Sequence, residues 1–210
     1  MESPQPELEK PWTHGRFAVI DIEGNGQSPP EFVELAVVYV DSGVIGASKS
    51  WLVRPSTPIT SHATRIHRIK NSDVSAAPNL ADVEPEIVTA LSDRYWVAHN
   101  AAVDWGVLHR QLPALNPPAV LDTLRLARTL QPGQASYSLP KLLAAWSLTD
   151  QLTNLGSQPH RANYDAHAAA LLFLHLLQSE DAPIFTLGEL LARCALTPKK
   201  KPKQEKLFDP

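Results

Sequence analysis

The sequence predicts an α/β fold built on a five-stranded mixed sheet, three antiparallel strands followed by two parallel ones, with helices on its faces. Three observations carry that expectation. Apolar and β-branched runs crowd the region from Phe17 to Val53 and are joined by turn residues. From Leu80 onward the apolar residues recur at helical spacing instead. Between those helical stretches, short apolar runs return at Tyr95–Ala98 and before Leu121, as strands alternating with helices should.

Taken in order, Phe17–Ile20 is a continuous apolar run, the pattern of a strand buried on both faces and so a central one. Glu31–Val40 is a second strand, Asp41-Ser42-Gly43 a turn, and Val44–Val53 a third strand. Leu80, Val83, Ile87 and Leu91 mark a helix face, and Tyr95–Ala98 a strand. Val103, Val107, Leu108 and Leu112 form the apolar stripe of the next helix. Leu121 ends a short strand, and a helix begins within Asp122–Leu130. Ser138 opens a helix through Trp146, with Leu139, Leu142 and Leu143 facing inward. Asn163 or Asp165 caps an apolar helix reaching Leu177, and Leu187–Leu196 is the last helix. Trp51, Trp96, Trp105 and Trp146 are expected in or against the core, with base stacking as the alternative for Trp105. Residues 16–197 form one domain in this reading. Residues 1–15, with three prolines and three glutamates, are a flexible arm, and the basic, Pro-containing residues 198–210 a disordered tail. The strand order is that of a ribonuclease H-like fold.

The chain has 210 residues, 43% of them hydrophobic, which is enough for a core and excludes wholesale disorder. A single cysteine, Cys194, excludes an intrachain disulfide framework and suits a reducing, cytoplasmic setting. No run is apolar enough for a membrane span, and the polar first fifteen residues lack the apolar centre of a signal peptide. The net charge of −3 argues against a generic basic coat on nucleic acid. It is compatible with an acidic site that recruits cations.

Asp21 and Glu23 end the first strand two residues apart, so both carboxylates share one face. Two hard oxygen ligands beside Gly24 and Gly26 suit Mg²⁺ or Mn²⁺; two acids on a surface loop is the plainer alternative. Asp104, after Ala98-His99-Asn100, and Asp165, after His160, each stand where a helix begins, and an acid there can simply complement the helix dipole. An imidazole, which ordinarily titrates near about 6.5, suits proton transfer near neutral pH. His160 is nevertheless one of eight histidines, and a surface role is its plainer reading.

The combination resembles the DEDDh (DnaQ-like) 3′–5′ exonucleases, nearest to the exodeoxyribonuclease X type. Asp21, Glu23, Asp104, His160 and Asp165 match the motif residue by residue between about Phe17 and Leu177. Leu52-Val53-Arg54-Pro55, Pro58-Ile59, Ile66-His67-Arg68-Ile69, Val97-Ala98-His99-Asn100 and Leu126-Ala127-Arg128 carry the nearer match. The resemblance implies a metal-dependent enzyme that releases 5′-mononucleotides from a 3′ end, in repair or proofreading. It implies two Mg²⁺ ions, replaceable by Mn²⁺, held by Asp21, Glu23, Asp104 and Asp165, with His160 as general base. It also implies a terminal-nucleotide pocket drawn from Ile22, Gly24, Asn25, Ile66, His67 and Asn100, with His99 a structural hydrogen bonder. Gly24 stands where the family usually has threonine, and Asn25 is a candidate to replace that threonine's hydrogen bond. Core packing is the alternative for Ile66.

DNA 3′ ends, single-stranded or frayed, are the expected substrate. RNA cleaved by the same chemistry and a catalytically silent adaptor are the rivals. Gln204, Leu207 and Phe208 on the tail resemble the short peptide by which bacterial repair proteins and polymerases dock on the sliding clamp, with a frayed terminus as the plain alternative.

Overall fold

The computed structural model describes residues 6–180 and 182–196. β1 (Arg16–Gly24) buries successive side chains on opposite pleats, and this puts it at the centre of the sheet. β2 (Phe32–Asp41) pairs with it antiparallel, and β3 (Val44–Leu52) pairs antiparallel with β2. β4 (Tyr95–Ala98) and β5 (Val120–Asp122) continue the sheet in parallel on the other side, giving the order β3-β2-β1-β4-β5. The architecture is therefore the expected five-stranded, ribonuclease H-like one. Ser42 and Gly43 both take positive φ, 52° and 73°, as a tight hairpin between β2 and β3 requires.

The alternation along β1 divides the interior. Phe17 and Val19 face α7 (Ala162–Gln178), backed by α5 (Thr123–Leu130), α6 (Leu139–Ala145) and α8 (Leu187–Cys194). Ala18 and Ile20 face α3 (Leu80–Leu91) and α4 (Ala102–Gln111). A smaller cluster of Val33, Ile59, Ala63, Ile69 and Val74 seats α1 (Ser61–His67) and α2 (Asn71–Val74). α7 meets the sheet through Ala162, Ala166, Ala169 and Ala170, all buried. Side chains this small let the helix axis lie close to β1 and β2. No helix among the described residues is long and apolar enough to cross a membrane.

Several expectations are corrected. The segment read as a flexible arm is held against the domain from Leu8 onward. Leu8 lies against the core, Lys10 and Leu8 carbonyls accept from Leu187 and Gly188, and Pro11 bridges to Thr186. Trp12, 5% exposed, sets its ring 6.2 Å from Phe17 and 5.9 Å from Phe173. One buried indole outweighs the polar composition around it. Val103 is 61% exposed, so the buried stripe of α4 is Val107 and Leu108. Helix α7 is capped by neither Asn163 nor Asp165. Its N-cap is Arg161, which makes no side-chain cap, and Glu34 of β2 supplies the acceptor instead, taking the Ala162 N–H at 2.9 Å. α1 and α2 fall where no element was expected, because pieces of seven and four residues show no period. The tryptophans behave as expected, Trp51 and Trp96 buried and Trp105 and Trp146 half-buried. The Trp105 ring is already occupied, stacked on His109 at 4.7 Å and edge-on to Trp96. The tail with Gln204, Leu207 and Phe208 lies outside the described residues.

Two outcomes are expected from this packing. Trp12→Ala should cost about 3–5 kcal/mol in a urea titration, the range for removing a buried large aromatic, and a change within ±0.5 kcal/mol would mean the segment carries no weight. Glu34→Ala should cost about 2 kcal/mol, since it strands a guanidinium and a helix N–H together. Glu34→Gln, which keeps an acceptor for Ala162, should cost less.

Candidate active site

Asp21 and Glu23 lie on the pleat that faces α7, and Asp165 stands in the first turn of that helix. Carboxylate oxygens of these three residues lie within 4.8 Å of one another. Asp104, in the first turn of α4 and 7% exposed, lies outside that trio. Its charge is nonetheless the strongest neighbouring effect on Asp21. The structure thus brings the four acids predicted from sequence to one end of β1.

Burial and mutual repulsion both push these groups toward the protonated form. Desolvation, then the charges of Asp104, Asp165 and Glu23, holds Asp21 well above the ordinary aspartate range. Desolvation and the charge of Asp165 push Glu23 up to about 8. Desolvation raises Asp104 to about 7 and also raises Asp165, although there the His160 side opposes it. A pocket of hard oxygen donors that keeps protons at neutral pH for want of positive charge fits a divalent cation. Asp21, Glu23 and Asp165 are the residues that could hold it, with Asp104 beside Asp21.

His160 is exposed on the loop leading into α7, with a positive φ of 63°, and its N–H donates to Asp165 Oδ2 at 3.0 Å. The same carboxylate therefore faces the acid cluster and anchors the backbone of the histidine.

Of the expected pocket residues, Ile66 is 43% exposed on α1, which rules out its core alternative. Ile22 and Gly24 are half-buried, and Asn100 is exposed at φ 65° with its N–H on Asp122 Oδ1. Two candidates are reassigned. Asn25 is fully buried, donates to Thr57 Oγ1 at 2.9 Å and accepts from the N–H groups of Gln27 and Glu31. All its hydrogen-bonding capacity shapes the loop after β1, and none is left to stand in for a threonine. His67 is 2% exposed. Its Nδ1 accepts from Ile69 N–H at 3.0 Å, so the proton sits on Nε2, which donates to the Gly24 carbonyl at 3.1 Å. Burial lowers its pKa and keeps it neutral. It ties α1 to the end of β1 and does not face the cleft. His99 is the structural hydrogen bonder expected, bridging Thr123 Oγ1 and the Tyr137 carbonyl.

Sequence reasoning missed Glu34 and Asp122. Glu34, 6% exposed, accepts from Arg161 Nε at 2.9 Å, Arg161 Nη2 at 2.6 Å and Ala162 N–H. Asp122 caps α5 and holds the turn at Asn100. The signal for Glu34 was available: an acid inside the apolar run Phe32-Val33-Glu34-Leu35-Ala36 must find a partner.

With this geometry in hand, comparison with known proteins is specific. The RNase T exonuclease family profile matches residues 18–173. Exodeoxyribonuclease 10 of Escherichia coli K12 is 35% identical over 164 residues, 78% of this chain and 70% of that protein. The 3′–5′ exonuclease DinG of Bacillus subtilis 168 is 32% identical over 183 residues, 83% of this chain but only 19% of DinG. Among solved structures, Exonuclease X in complex with 5′-overhanging duplex DNA superposes with a TM-score of 0.68 at 33% identity, covering 83% of this chain and 98% of that one. The clustered acids, the histidine anchored to one of them and these matches agree, and the chain belongs to the DEDDh, DnaQ-like superfamily of 3′–5′ exonucleases, hydrolases of nucleic acid.

Proposed function

We propose that this chain is a divalent-metal-dependent 3′–5′ exodeoxyribonuclease acting on single-stranded or frayed DNA ends in repair or proofreading. The observation that carries the reading is the convergence of Asp21, Glu23 and Asp165 within 4.8 Å, with His160 fastened to the last of them. The DNA preference is supported by the 35% identity to an exodeoxyribonuclease and by the likeness to a nuclease bound to duplex DNA.

Asp21, Glu23 and Asp165 would hold one Mg²⁺ or Mn²⁺, and Asp21 with Asp104 would support a second. When bound, such ions supply positive charge that eases deprotonation of water and offsets the charge growing on the leaving oxygen. The remaining work falls to this chain's own groups. The oxygen of a water molecule attacks the terminal phosphorus, and a ring nitrogen of His160 takes the water's proton. The bond from phosphorus to the 3′-oxygen of the preceding nucleotide breaks. That oxygen gains a proton from solvent, leaving a 5′-mononucleotide and a shortened strand. Asp165 orients His160 through its backbone N–H. Ile66 and Asn100, both exposed, would border the terminal nucleotide.

EDTA should abolish hydrolysis of a labelled oligonucleotide, and Mg²⁺ or Mn²⁺ should restore it. Asp21→Ala and Asp165→Ala should be inactive yet folded. His160→Ala should lose roughly 10²–10⁴-fold in rate with little change in the metal concentration needed. A DNA strand blocked at its 3′ end should resist while one blocked at its 5′ end is degraded, and cutting of a circular single strand would refute the exonuclease reading. A faster rate on RNA than on DNA of the same sequence would favour the exoribonuclease alternative.

The raised carboxylate pKa values make a second measurement informative. Glu23 at about 8 binds a proton more tightly folded than unfolded. The stability this contributes is complete below its ordinary value and is lost as pH rises through about 8. His67 and His99, lowered by burial, act the other way, but only below about 7. In EDTA the Tm should therefore fall between about pH 7 and 9. Mg²⁺ should remove most of that fall, and Glu23→Gln should reduce it without metal, the part left being owed to Asp21 and Asp104. A Tm that rises over this window in EDTA would contradict the acid cluster's electrostatics.

A further inference from the structure

We propose that Arg68 is a positioning residue for His160, acting through Gln158. The inference rests on the reading of His160 as the general base and adds what sets its place.

Arg68 ends α1 in the left-handed region, with φ 65°. Glycine is the usual occupant of that conformation, because a Cβ is crowded there. Here an arginine takes that conformation, and its side chain makes a specific contact. That side chain reaches across the chain's length: Nη1 donates to Gln158 Oε1 at 2.6 Å, between residues 90 positions apart. Gln158 lies two residues before His160.

The loop holding His160 needs such a tie. Thr153, Asn154, Gly156, Gln158, Pro159 and His160 are exposed, and only Leu155 and Ser157 are half-buried. An open groove of about 440 Å³ adjoins it, lined by Glu34, Ser50, Leu155, Ser157, Gln158 and Arg161. Leu155 packs against the core and seats the first half of the loop, but residues 158–160 are all exposed, so no buried apolar side chain fixes their height over the site. At its far end the loop is pinned by the His160 N–H on Asp165. Arg68 supplies the other pin, and its own base is firm, since neighbouring His67 is buried and bonded to the Gly24 carbonyl. A connected path results, from the end of β1 through His67, Arg68 and Gln158 to His160. A hydrogen bond between exposed groups biases a loop and does not lock it. The expected loss is therefore about ten-fold, below the 10²-fold that a 1 Å misplacement can cost.

The test compares Arg68→Gly, Gln158→Ala, their double variant, and Arg68→Gly in a His160→Ala background, in the full chain with Mg²⁺ on single-stranded DNA. Arg68→Gly should keep or raise the Tm, because glycine relieves the left-handed strain, while kcat falls about ten-fold and KM stays unchanged. Gln158→Ala should match it, the double variant should be no worse than either, and Arg68→Gly should cost nothing further once His160 is alanine. Arg68→Lys, which retains a donor, should recover part of the loss. A rise in KM for Arg68→Gly with Gln158→Ala silent would overturn the proposal and make Arg68 a phosphate contact. Wild-type kcat in both single variants, with His160→Ala still impaired, would overturn it while leaving the general base intact. Wild-type activity of His160→Ala itself would remove the general base and this inference with it.

Discussion

The carboxylate of Glu34 is the constraint on which the site depends. It takes two hydrogen bonds from the Arg161 guanidinium and one from the first N–H of α7, and so pins the start of that helix to the start of β2. Glu34 faces Glu23 directly across the β1–β2 pair. Like charges at opposed positions destabilise a sheet, and the bidentate guanidinium is what makes this pairing tolerable. Because α7 begins there, Asp165 falls one turn in, opposite Asp21 and Glu23. Phe173, Leu172 and Leu176 hold the body of α7 to the sheet, and the Glu34 anchor fixes its first turn, which carries the third carboxylate.

The site itself works against stability. Four acids share one end of the sheet, and Glu34 adds to the field that Asp21, Glu23 and Asp165 feel. The surrounding fold carries this load through the two buried faces of β1. On one side lies the cluster of Phe17, Val19 and α7; on the other, Ala18, Ile20 and Trp96 pack with α3 and α4. Trp12 belongs to the first of these, which explains why a segment of polar composition is ordered. The apolar interior makes a strained arrangement of acids affordable, and the positive charge of a divalent cation is the natural relief for it.

The loop after β1 is held by polar groups bonded to one another, two of them buried. Asn25 organises the loop after β1 against Thr57 and Glu31, and Glu31 in turn accepts from Ser56 and Thr57. His67 joins α1 to Gly24. Arg110 reaches the Pro30 carbonyl and Gln111 accepts from Phe32 N–H, so α4 secures the other side of the same loop. Fully satisfied polar networks of this kind rigidify the shape they line. Ile66 and Asn100 remain exposed beside them.

Much of this was legible before any coordinates. The strand and helix order followed from local periodicity. The shared face of Asp21 and Glu23 followed from the two-residue repeat of a strand, since neither depends on distant partners. The acids at 104 and 165 and the histidine at 160 were readable as a set through family resemblance. What local pattern could not supply was decided by residues far apart in sequence. Arg161 finds Glu34 127 positions away. That partnership, and not the polar residues at 163 or 165, starts α7. Asn25 and His67 have the chemistry of ligand contacts, and only their burial against Thr57 and Gly24 turns them into walls. Trp12 sits in a proline-rich stretch, and only Phe17 and Phe173 make it core. The five strands, helices α3 to α8 and the chemical inventory were readable from local pattern, because these are encoded within a few residues, whereas the short α1 and α2 were not. The tertiary structure alone decided which polar group faces the cleft and which holds it open, because hydrogen-bonding capacity is allotted by whichever partners folding brings within 3 Å or so.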